Sequence, residues 1–224
     1  MNRLHYLYRP KKGAVHMIPK RIHYCWFGGN PLGEQEKKYM DSWRKYCPDY
    51  EIKRWDESTI DLSKFGSYLK EAYEQEEWAF VSDVVRLYAL VTEGGIYMDT
   101  DIEVVKPLDE LLQLDAFMGF EIETKISTGI IGAAPHQSFM EEWLEDYDGR
   151  AFVRAEKTED VVTNVIRVTA LLQKHGLQLN NEKQTIKGVT IFPQMTFSPK
   201  SYITGEVQKD PATMVIHQFS GSWL

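Results

Sequence analysis

Asp99 and Asp101 are separated by one residue near the end of a predicted strand, a spacing that suits metal binding. Residues 96–105 alternate in a way that is typical of a β-strand. Alternate side chains share one face of a strand, so Tyr97 and Glu103 are expected to project beside the two carboxylates. Such a column of carboxylates repels itself and should be neutralised by a cation. Paired aspartates suit Mn²⁺ or Mg²⁺, which complete their coordination with water and substrate phosphates.

Asp83 and Arg86 interrupt the otherwise apolar residues 79–91, which predict a buried helix. The two residues are three positions apart, so they lie on one face of the helix and can touch. Charges in a buried helix are costly unless they are paired or hold a polar ligand. A structural ion pair would explain these two residues alone. Because Gly94 and Gly95 end the helix directly before the strand with the two aspartates, the whole run indicates a functional site.

The surrounding pattern predicts an α/β domain over residues 17–224. A strand over residues 18–27, a helix over 34–46 and a strand over 50–55 form the opening of a parallel sheet. Residues 1–16 carry basic side chains without an apolar block, and we interpret them as an extension of doubtful status. Further helices are predicted over residues 67–78, 79–91, 107–114, 137–147 and 159–175, and further strands over 116–121, 126–133, 189–192 and 213–219.

Composition narrows the class of protein. The 224 residues carry a formal net charge of −7, which argues against a nucleic-acid partner. Two cysteines, Cys25 and Cys47, give neither a disulfide framework nor a zinc pattern, so a reduced cytoplasmic setting is expected. No apolar stretch approaches the roughly 20 residues that span a bilayer. If residues 1–16 bind a membrane surface, the protein would associate peripherally with its inner face.

The sequence resembles glycosyltransferase family 32 in four runs: residues 18–28 (IPKRIHYCWFG), 79–86 (AFVSDVVR), 94–101 (GGIYMDTD) and 217–223 (HQFSGSW). That family includes bacterial capsular-polysaccharide transferases and yeast mannosyltransferases, and it is related to the catalytic domain of the large clostridial glucosylating toxins. The likeness is closest to the bacterial capsular group.

The resemblance implies a GT-A fold, in which a Rossmann-like nucleotide-binding half joins a mixed-sheet acceptor half. It also implies a divalent cation, usually Mn²⁺, and a retaining transfer of a hexose from a nucleotide-diphosphate sugar. A UDP-sugar is favoured over a GDP-sugar as the donor. The acceptor class stays open among capsular polysaccharide, another glycan and a lipid-linked saccharide.

Roles for individual residues follow from the same resemblance. Asp99 and Asp101 match the metal-binding pair, and His217 is a candidate third metal contact. Asp83 and Arg86 match positions that contact the ribose and the donor sugar or phosphate.

Other matches concern the nucleotide and the closing loop. Trp26 matches an aromatic residue that stacks on the nucleotide base, and Tyr97 is grouped with the donor-binding residues. Ser222 and Trp223 match a loop that closes over the diphosphate. The segment 127–129 (STG) is a further candidate for facing the sugar.

Leaving-group stabilisation, rather than proton abstraction by a side chain, is expected to supply most of the rate. No carboxylate is marked by the sequence as a covalent nucleophile, which favours same-face attack by the acceptor. Two alternatives stay open: a metal-dependent nucleotidyltransferase using the same aspartates, and a sugar-binding module without catalysis. The run Gly28-Gly29-Asn30 is a poor phosphate loop, because no lysine follows it.

Overall fold

A computed structural model describes residues 17–152, 163–208 and 210–221. Within them, a mixed eight-stranded sheet has the order β2-β1-β3-β7-β5-β9-β8, with β6 paired to β5, and a separate two-stranded sheet joins β10 to β4. The strands are β1 Arg21–Cys25, β2 Glu51–Trp55, β3 Gly95–Met98, β4 Ile102–Val104, β5 Ala116–Ile122, β6 Lys125–Ile126, β7 Ile130–Ala133, β8 Gln184–Ile186, β9 Val189–Phe192 and β10 Val215–His217. The α-helices are α1 Glu34–Tyr46, α2 Ser67–Glu74, α3 Trp78–Glu93, α4 Ser138–Glu145, α5 Asn164–Lys174 and α6 Gln194–Phe197, and short 3₁₀ helices cover Leu62–Lys64 and Asp109–Gln113.

The predicted parallel α/β opening is confirmed. Strand β1 pairs in parallel with both β2 and β3, so the carboxyl ends of these three strands meet at one edge of the sheet. Beyond β3 the sheet becomes mixed, because β7 runs antiparallel to β3 and β5. The edge where the parallel strands end therefore holds the residues that follow β1 and β3, including Trp26 and Asp99.

Both faces of the main sheet are covered. Helices α2, α3, α4 and α5 pack on one face, and helix α1 with the β4–β10 ribbon packs on the other. Successive side chains of β3 therefore enter opposite cores: Ile96 and Met98 face α1, whereas Tyr97 faces α3. Trp43 of α1 ties the ribbon to this helix, since its indole Nε1 donates to the carbonyl of Ile102 at 2.7 Å.

The end of helix α3 requires glycine. Gly94 and Gly95 have φ values of +62° and +118°, which favour a residue without a side chain. A Cβ at Gly94 would lie 2.6 Å from Pro135, and one at Gly95 would lie 2.8 Å from the carbonyl of Arg21. The chain can thus turn directly from α3 into β3, which brings the charged residues of the helix beside the end of the strand.

The prediction of a single strand over residues 96–105 is wrong. Strand β3 stops at Met98, a turn closes with the amide of Ile102 donating to the carbonyl of Asp99 at 3.0 Å, and β4 then pairs with β10 in the other sheet. Asp99 and Asp101 therefore lie in the turn between two sheets. Glu103 lies on β4 and accepts a hydrogen bond from Gln218 instead of joining the carboxylate pair.

Other boundaries differ from the sequence predictions. The predicted strand over 126–133 is divided into β6 and β7, the helix over 67–78 ends at Glu74, and β8 and α6 were not predicted. The helix predicted over 159–175 covers Asn164–Lys174, and residues 159–162 lie outside the described part of the chain. Strand 189–192 and helix 34–46 are confirmed as predicted. Residues 1–16 are also outside the described ranges.

The cysteines and the helices bear on two further expectations. Cys25 and Cys47 are both buried as free thiols. Among the described residues, no helix combines the length and the hydropathy that crossing a bilayer requires.

Candidate active site

Three potential metal ligands meet at the turn between the two sheets. Carboxylate oxygens of Asp99 and Asp101 and a ring nitrogen of His217 all lie within 4.8 Å of one another. The side chains come from distant parts of the sequence, because β10 pairs antiparallel with β4 and places His217 opposite Ile102. All three residues are buried, and Asp101 is only 1% exposed. The predicted triad is therefore assembled by strand pairing.

Two polar atoms of this cluster have no hydrogen-bond partner among the described residues. They are Oδ1 of Asp101 and Nδ1 of His217, both buried. Oδ1 of Asp101 lies 3.4 Å from Nε2 of His217, while the other carboxylate oxygen accepts a hydrogen bond from the amide of Ser220 at 2.9 Å. Buried polar atoms are normally satisfied. Two carboxylates and an imidazole with unused acceptors fit a divalent cation such as Mn²⁺.

The pKa values of Asp99, Asp101 and His217 are shifted in different directions by burial and by neighbouring groups. Burial raises the pKa of Asp101, but the His217 imidazole and the Ser220 amide outweigh it and lower the pKa overall. Burial also dominates at Asp99, where it raises the pKa against the opposing effect of Arg86. At His217, burial lowers the pKa, yet the Asp101 carboxylate 3.4 Å away outweighs it and raises the pKa overall. A bound cation would take over this charge compensation.

Arg86 connects helix α3 to the carboxylates. Its guanidinium lies 2.9 Å from Asp83 and 3.6 Å from Oδ1 of Asp99, and it donates to the carbonyl of Thr128 at 2.7 Å. The guanidinium also lies 4.5 Å from the centre of the Tyr97 ring, a cation–π contact. The predicted contact between Asp83 and Arg86 is confirmed, and it is continuous with the metal-ligand cluster.

Asp83 has a second partner that the sequence did not reveal. Asn164, at the start of α5, donates from Nδ2 to Oδ1 of Asp83 at 2.9 Å, and its own amide oxygen accepts from the hydroxyl of Tyr147. Burial raises the pKa of Asp83 to about 6, while Arg86 and Asn164 act in the opposite direction. A single asparagine at a helix start reads as an ordinary capping residue, so no local pattern indicates this role.

Tyr97 holds the carboxylate of Asp99 through a hydrogen bond. Its hydroxyl donates to Oδ1 of Asp99 at 2.8 Å, and the residue is 1% exposed. This placement accounts for the tyrosine in the motif as a group that orients a carboxylate. A direct contact with the donor stays a prediction.

The loop of residues 127–129 lies against both Asp99 and His217. The carbonyl of Gly129 accepts from the amide of Asp99 at 2.8 Å, and a Cβ at Gly129 would come within 2.9 Å of the His217 ring. Glu121, on β5, is a further acidic group nearby: burial raises its pKa, whereas His217 and Ser127 lower it. The sequence had indicated this loop only as a candidate for facing the sugar.

Trp26 lies where strand β1 ends. Trp26 follows β1 at the sheet edge and is half-buried, with its indole Nε1 donating to the carbonyl of Asn30 at 2.6 Å. Its stacking on a base stays a prediction. Ser222 and Trp223, predicted to close over the diphosphate, lie outside the described residues.

Part of the chain matches a known family model. Residues 33–118 match a family model described as "Glycosyltransferase sugar-binding region containing DXD motif". The matched range contains Asp83, Arg86, Asp99 and Asp101, whereas His217 lies outside it. At this level the resemblance to DXD-containing glycosyltransferases is confirmed, although the capsular group is not.

A solved structure gives the fold. The structure titled "PaToxG Glycosyltransferase" superposes with a TM-score of 0.55 and 23% identity, covering 71% of this chain and 70% of that one. The chain has a GT-A fold. The predicted GT-A fold is thereby confirmed.

Two curated relatives are fungal. Glucan organizing enzyme 1 of Cryptococcus neoformans is 34% identical over 33% of this chain and 23% of its own length. Inositol phosphoceramide mannosyltransferase 3 of Schizosaccharomyces pombe is 31% identical over 61% of this chain and 38% of its own length. The chain thus spans well under half the length of these curated relatives.

Proposed function

We propose that this protein is a metal-dependent, retaining glycosyltransferase that moves a hexose from a nucleotide-diphosphate sugar to a saccharide acceptor. One observation carries the proposal. Asp99, Asp101 and His217 converge within 4.8 Å with unused acceptor atoms, directly beside the Arg86–Asp83 pair. The match of residues 33–118 to a DXD-containing sugar-binding region supports the same conclusion.

Asp99, Asp101 and His217 would hold Mn²⁺ or Mg²⁺. A cation at this position supplies Lewis-acid stabilisation of the negative charge that develops on a departing nucleoside diphosphate. The fit rests on the donor set and on the unpaired Oδ1 of Asp101 and Nδ1 of His217. Tyr97 and the Ser220 amide hold the two carboxylates in place from either side.

Arg86 and Asp83 would bind the donor. The Arg86 guanidinium, held in place by Asp83 and the Thr128 carbonyl, would set its positive charge beside the phosphate oxygens of the donor. Asp83 would accept hydrogen bonds from donor hydroxyl groups, with Asn164 fixing its carboxylate. Trp26, at the same edge of the sheet, is proposed to stack on the base, and a UDP-sugar is the favoured donor.

The proposed transfer is a same-face substitution. The bond between the anomeric carbon and the phosphate oxygen breaks as the acceptor hydroxyl oxygen bonds to that carbon. The hydroxyl proton passes to the leaving phosphate, so no side chain is required as a covalent nucleophile. Assignment of the product anomer by proton NMR tests retention, and trapping of a glycosyl-enzyme adduct would contradict the same-face route.

The acceptor and the setting are proposed more broadly. The Schizosaccharomyces pombe relative is named an inositol phosphoceramide mannosyltransferase, and this name supports the lipid-linked part of the proposed acceptor class, which also includes glycans. Capsular polysaccharide in a bacterial host stays within this class, as the sequence resemblance implied. Two unpaired cysteines support a cytoplasmic location, with peripheral membrane association depending on residues 1–16.

A thermal-shift screen with UDP- and GDP-sugars, with and without Mn²⁺, tests the proposal. A donor present at about 100 times its Kd should stabilise the protein by about 2.7 kcal/mol, or roughly 5–10 °C in Tm. Stabilisation should require Mn²⁺ and should be lost in Asp101→Asn. The matched control Asp148→Asn changes an exposed aspartate and should retain the shift. If no nucleotide sugar stabilises the wild-type protein with metal present, the transferase proposal is wrong.

A further inference from the structure

A surface loop beside the candidate site presents apolar side chains to solvent. Tyr202 is 59% exposed, Ile203 is 78% exposed and Val207 is 40% exposed. They belong to a short loop, residues 200–207, whose two ends pair through an antiparallel bridge between Lys200 and Val207. A cluster of exposed apolar groups on one ordered loop indicates a binding surface more strongly than the same residues scattered singly.

The loop is held by its own hydrogen bonds. The amide of Ser201 donates to the carbonyl of Glu206, and the amide of Gly205 donates to the carbonyl of Ser201, both at 2.8 Å. Lys200 anchors the base of the loop, because its Nζ donates to the carbonyl of Gln218 at 2.7 Å. The exposed side chains are thus displayed by a fixed backbone that is attached to the strand leading out of the site.

Two aromatic ring contacts, one edge-on and one tilted, connect the loop to the metal-ligand cluster. The ring of Tyr202 lies 6.2 Å from that of Phe219, and the ring of Phe219 lies 4.0 Å from that of His217. Phe219 has a φ of +52°, an uncommon backbone conformation for a residue with a large side chain. Tyr202 is therefore two ring contacts from His217.

We propose that Tyr202 and Ile203 form the acceptor platform, on which the apolar face of a pyranose ring in the acceptor saccharide stacks. This inference rests on the proposed function. An acceptor must place one hydroxyl next to the donor bound at the cation, so its next sugar unit lies about one ring further out. Tyr202, which lies two ring contacts from His217, is at a suitable distance to hold this next sugar unit. Tyrosine suits the role because it offers a flat apolar area with little conformational freedom to lose on binding.

The size and charge of the patch favour a saccharide over a membrane or a protein. One aromatic and two aliphatic side chains match a single sugar ring, whereas a stable protein interface buries about 800 Å² on each partner. Residues 200–210 contain two lysines and two acidic residues, so the segment has no positive excess to attract an anionic lipid surface. Thr204 and Gln208, both exposed, offer polar groups at the rim for sugar hydroxyls.

Saturation-transfer difference NMR tests the platform directly. The probes are uncharged trisaccharides (maltotriose, α-mannotriose and chitotriose), added to the protein with UDP and Mn²⁺. At least one should show transfer to its ring C–H protons. Tyr202→Ala should weaken its binding about tenfold, whereas Tyr202→Phe should change it less than about twofold. Leu179→Ala, an exposed apolar residue on another segment, is the matched control and should bind like the wild type.

Three results would overturn the inference. The first is that no trisaccharide binds the wild-type protein, and the second is that the Tyr202→Ala variant binds a trisaccharide as tightly as the wild type does. The third is that the wild-type protein floats with phosphatidylcholine–phosphatidylglycerol vesicles and that Tyr202→Ala abolishes this flotation. The donor thermal shift of the wild-type protein is a separate readout. Donor binding without trisaccharide binding refutes the platform alone. Tyr202-dependent trisaccharide binding without any donor response refutes the proposed transferase alone.

Discussion

His23 should make the stability of the protein fall steeply in mild acid. It is fully buried on β1, with Nε2 2.7 Å from the carbonyl of Gly94 and Nδ1 2.9 Å from the indole Nε1 of Trp55. A carbonyl only accepts and an indole N–H only donates. The ring therefore carries its proton on Nε2, and a second proton on Nδ1 would face the indole N–H.

The magnitude follows from the pKa. Burial lowers the pKa of His23 from its ordinary value of 6.5 to about 4, against the opposing effect of the Gly94 carbonyl. Between these two values the unfolded chain binds more protons than the folded protein, so stability falls as the pH is lowered through this window. The full difference corresponds to about 3 kcal/mol, of which about 2 kcal/mol should be lost between pH 7 and pH 4.5.

Urea unfolding of the wild type and of His23→Asn at both pH values measures this contribution. The variant should be less stable at pH 7, because it loses the fitted hydrogen bonds, but its stability should fall less on acidification, by about 2 kcal/mol. The other titrating groups are common to both proteins, so their contributions to the pH dependence of stability cancel in the comparison. Parallel pH dependences would refute the reasoning, as would a histidine NMR titration showing that His23 is protonated near pH 6.5 in the folded protein.

Two further predictions concern the candidate site. Gly129→Ala places a Cβ within 2.9 Å of the His217 ring, so the substitution should shift the imidazole. Calorimetry should then show Mn²⁺ binding that is about 10–100-fold weaker. The control Gly66→Ala meets no atom within 4 Å and should bind Mn²⁺ like the wild type. Asn164→Ala removes a hydrogen bond from the buried Asp83 carboxylate and should lower the free energy of unfolding by about 1–3 kcal/mol in urea, and an unchanged midpoint would contradict the positioning role.

Helix α3 shows what could be read from the sequence. Its apolar belt, the two charges three positions apart and the terminal glycines are all local features, and each is confirmed. The approach of Asp83 and Arg86 to the aspartate pair also followed from the direct connection between helix and strand. Local periodicity was therefore enough for the part of the site that lies within residues 79–101.

The break after Met98 shows where the sequence was insufficient. Alternation continues through residues 96–105 whether the chain stays in one sheet or passes to another, so the pattern cannot reveal the turn at Asp99. The outcome is decided by pairing with β10, more than a hundred residues later. Asn164 and Tyr202 were not predicted for the same reason, because their importance comes from the side chains that they meet.

The pairing of β4 with β10 also orders the events of biosynthesis. A ribosome adds residues from the N-terminus, and domains acquire structure in that direction. Every strand of the main sheet, up to β9 at Phe192, has been synthesised before His217 and Ser220 emerge to complete the surroundings of Asp101. A growing chain could therefore organise its nucleotide-side sheet while the cation cluster is still incomplete. Competence to bind the metal would arise only after residues 217–220 have left the ribosome.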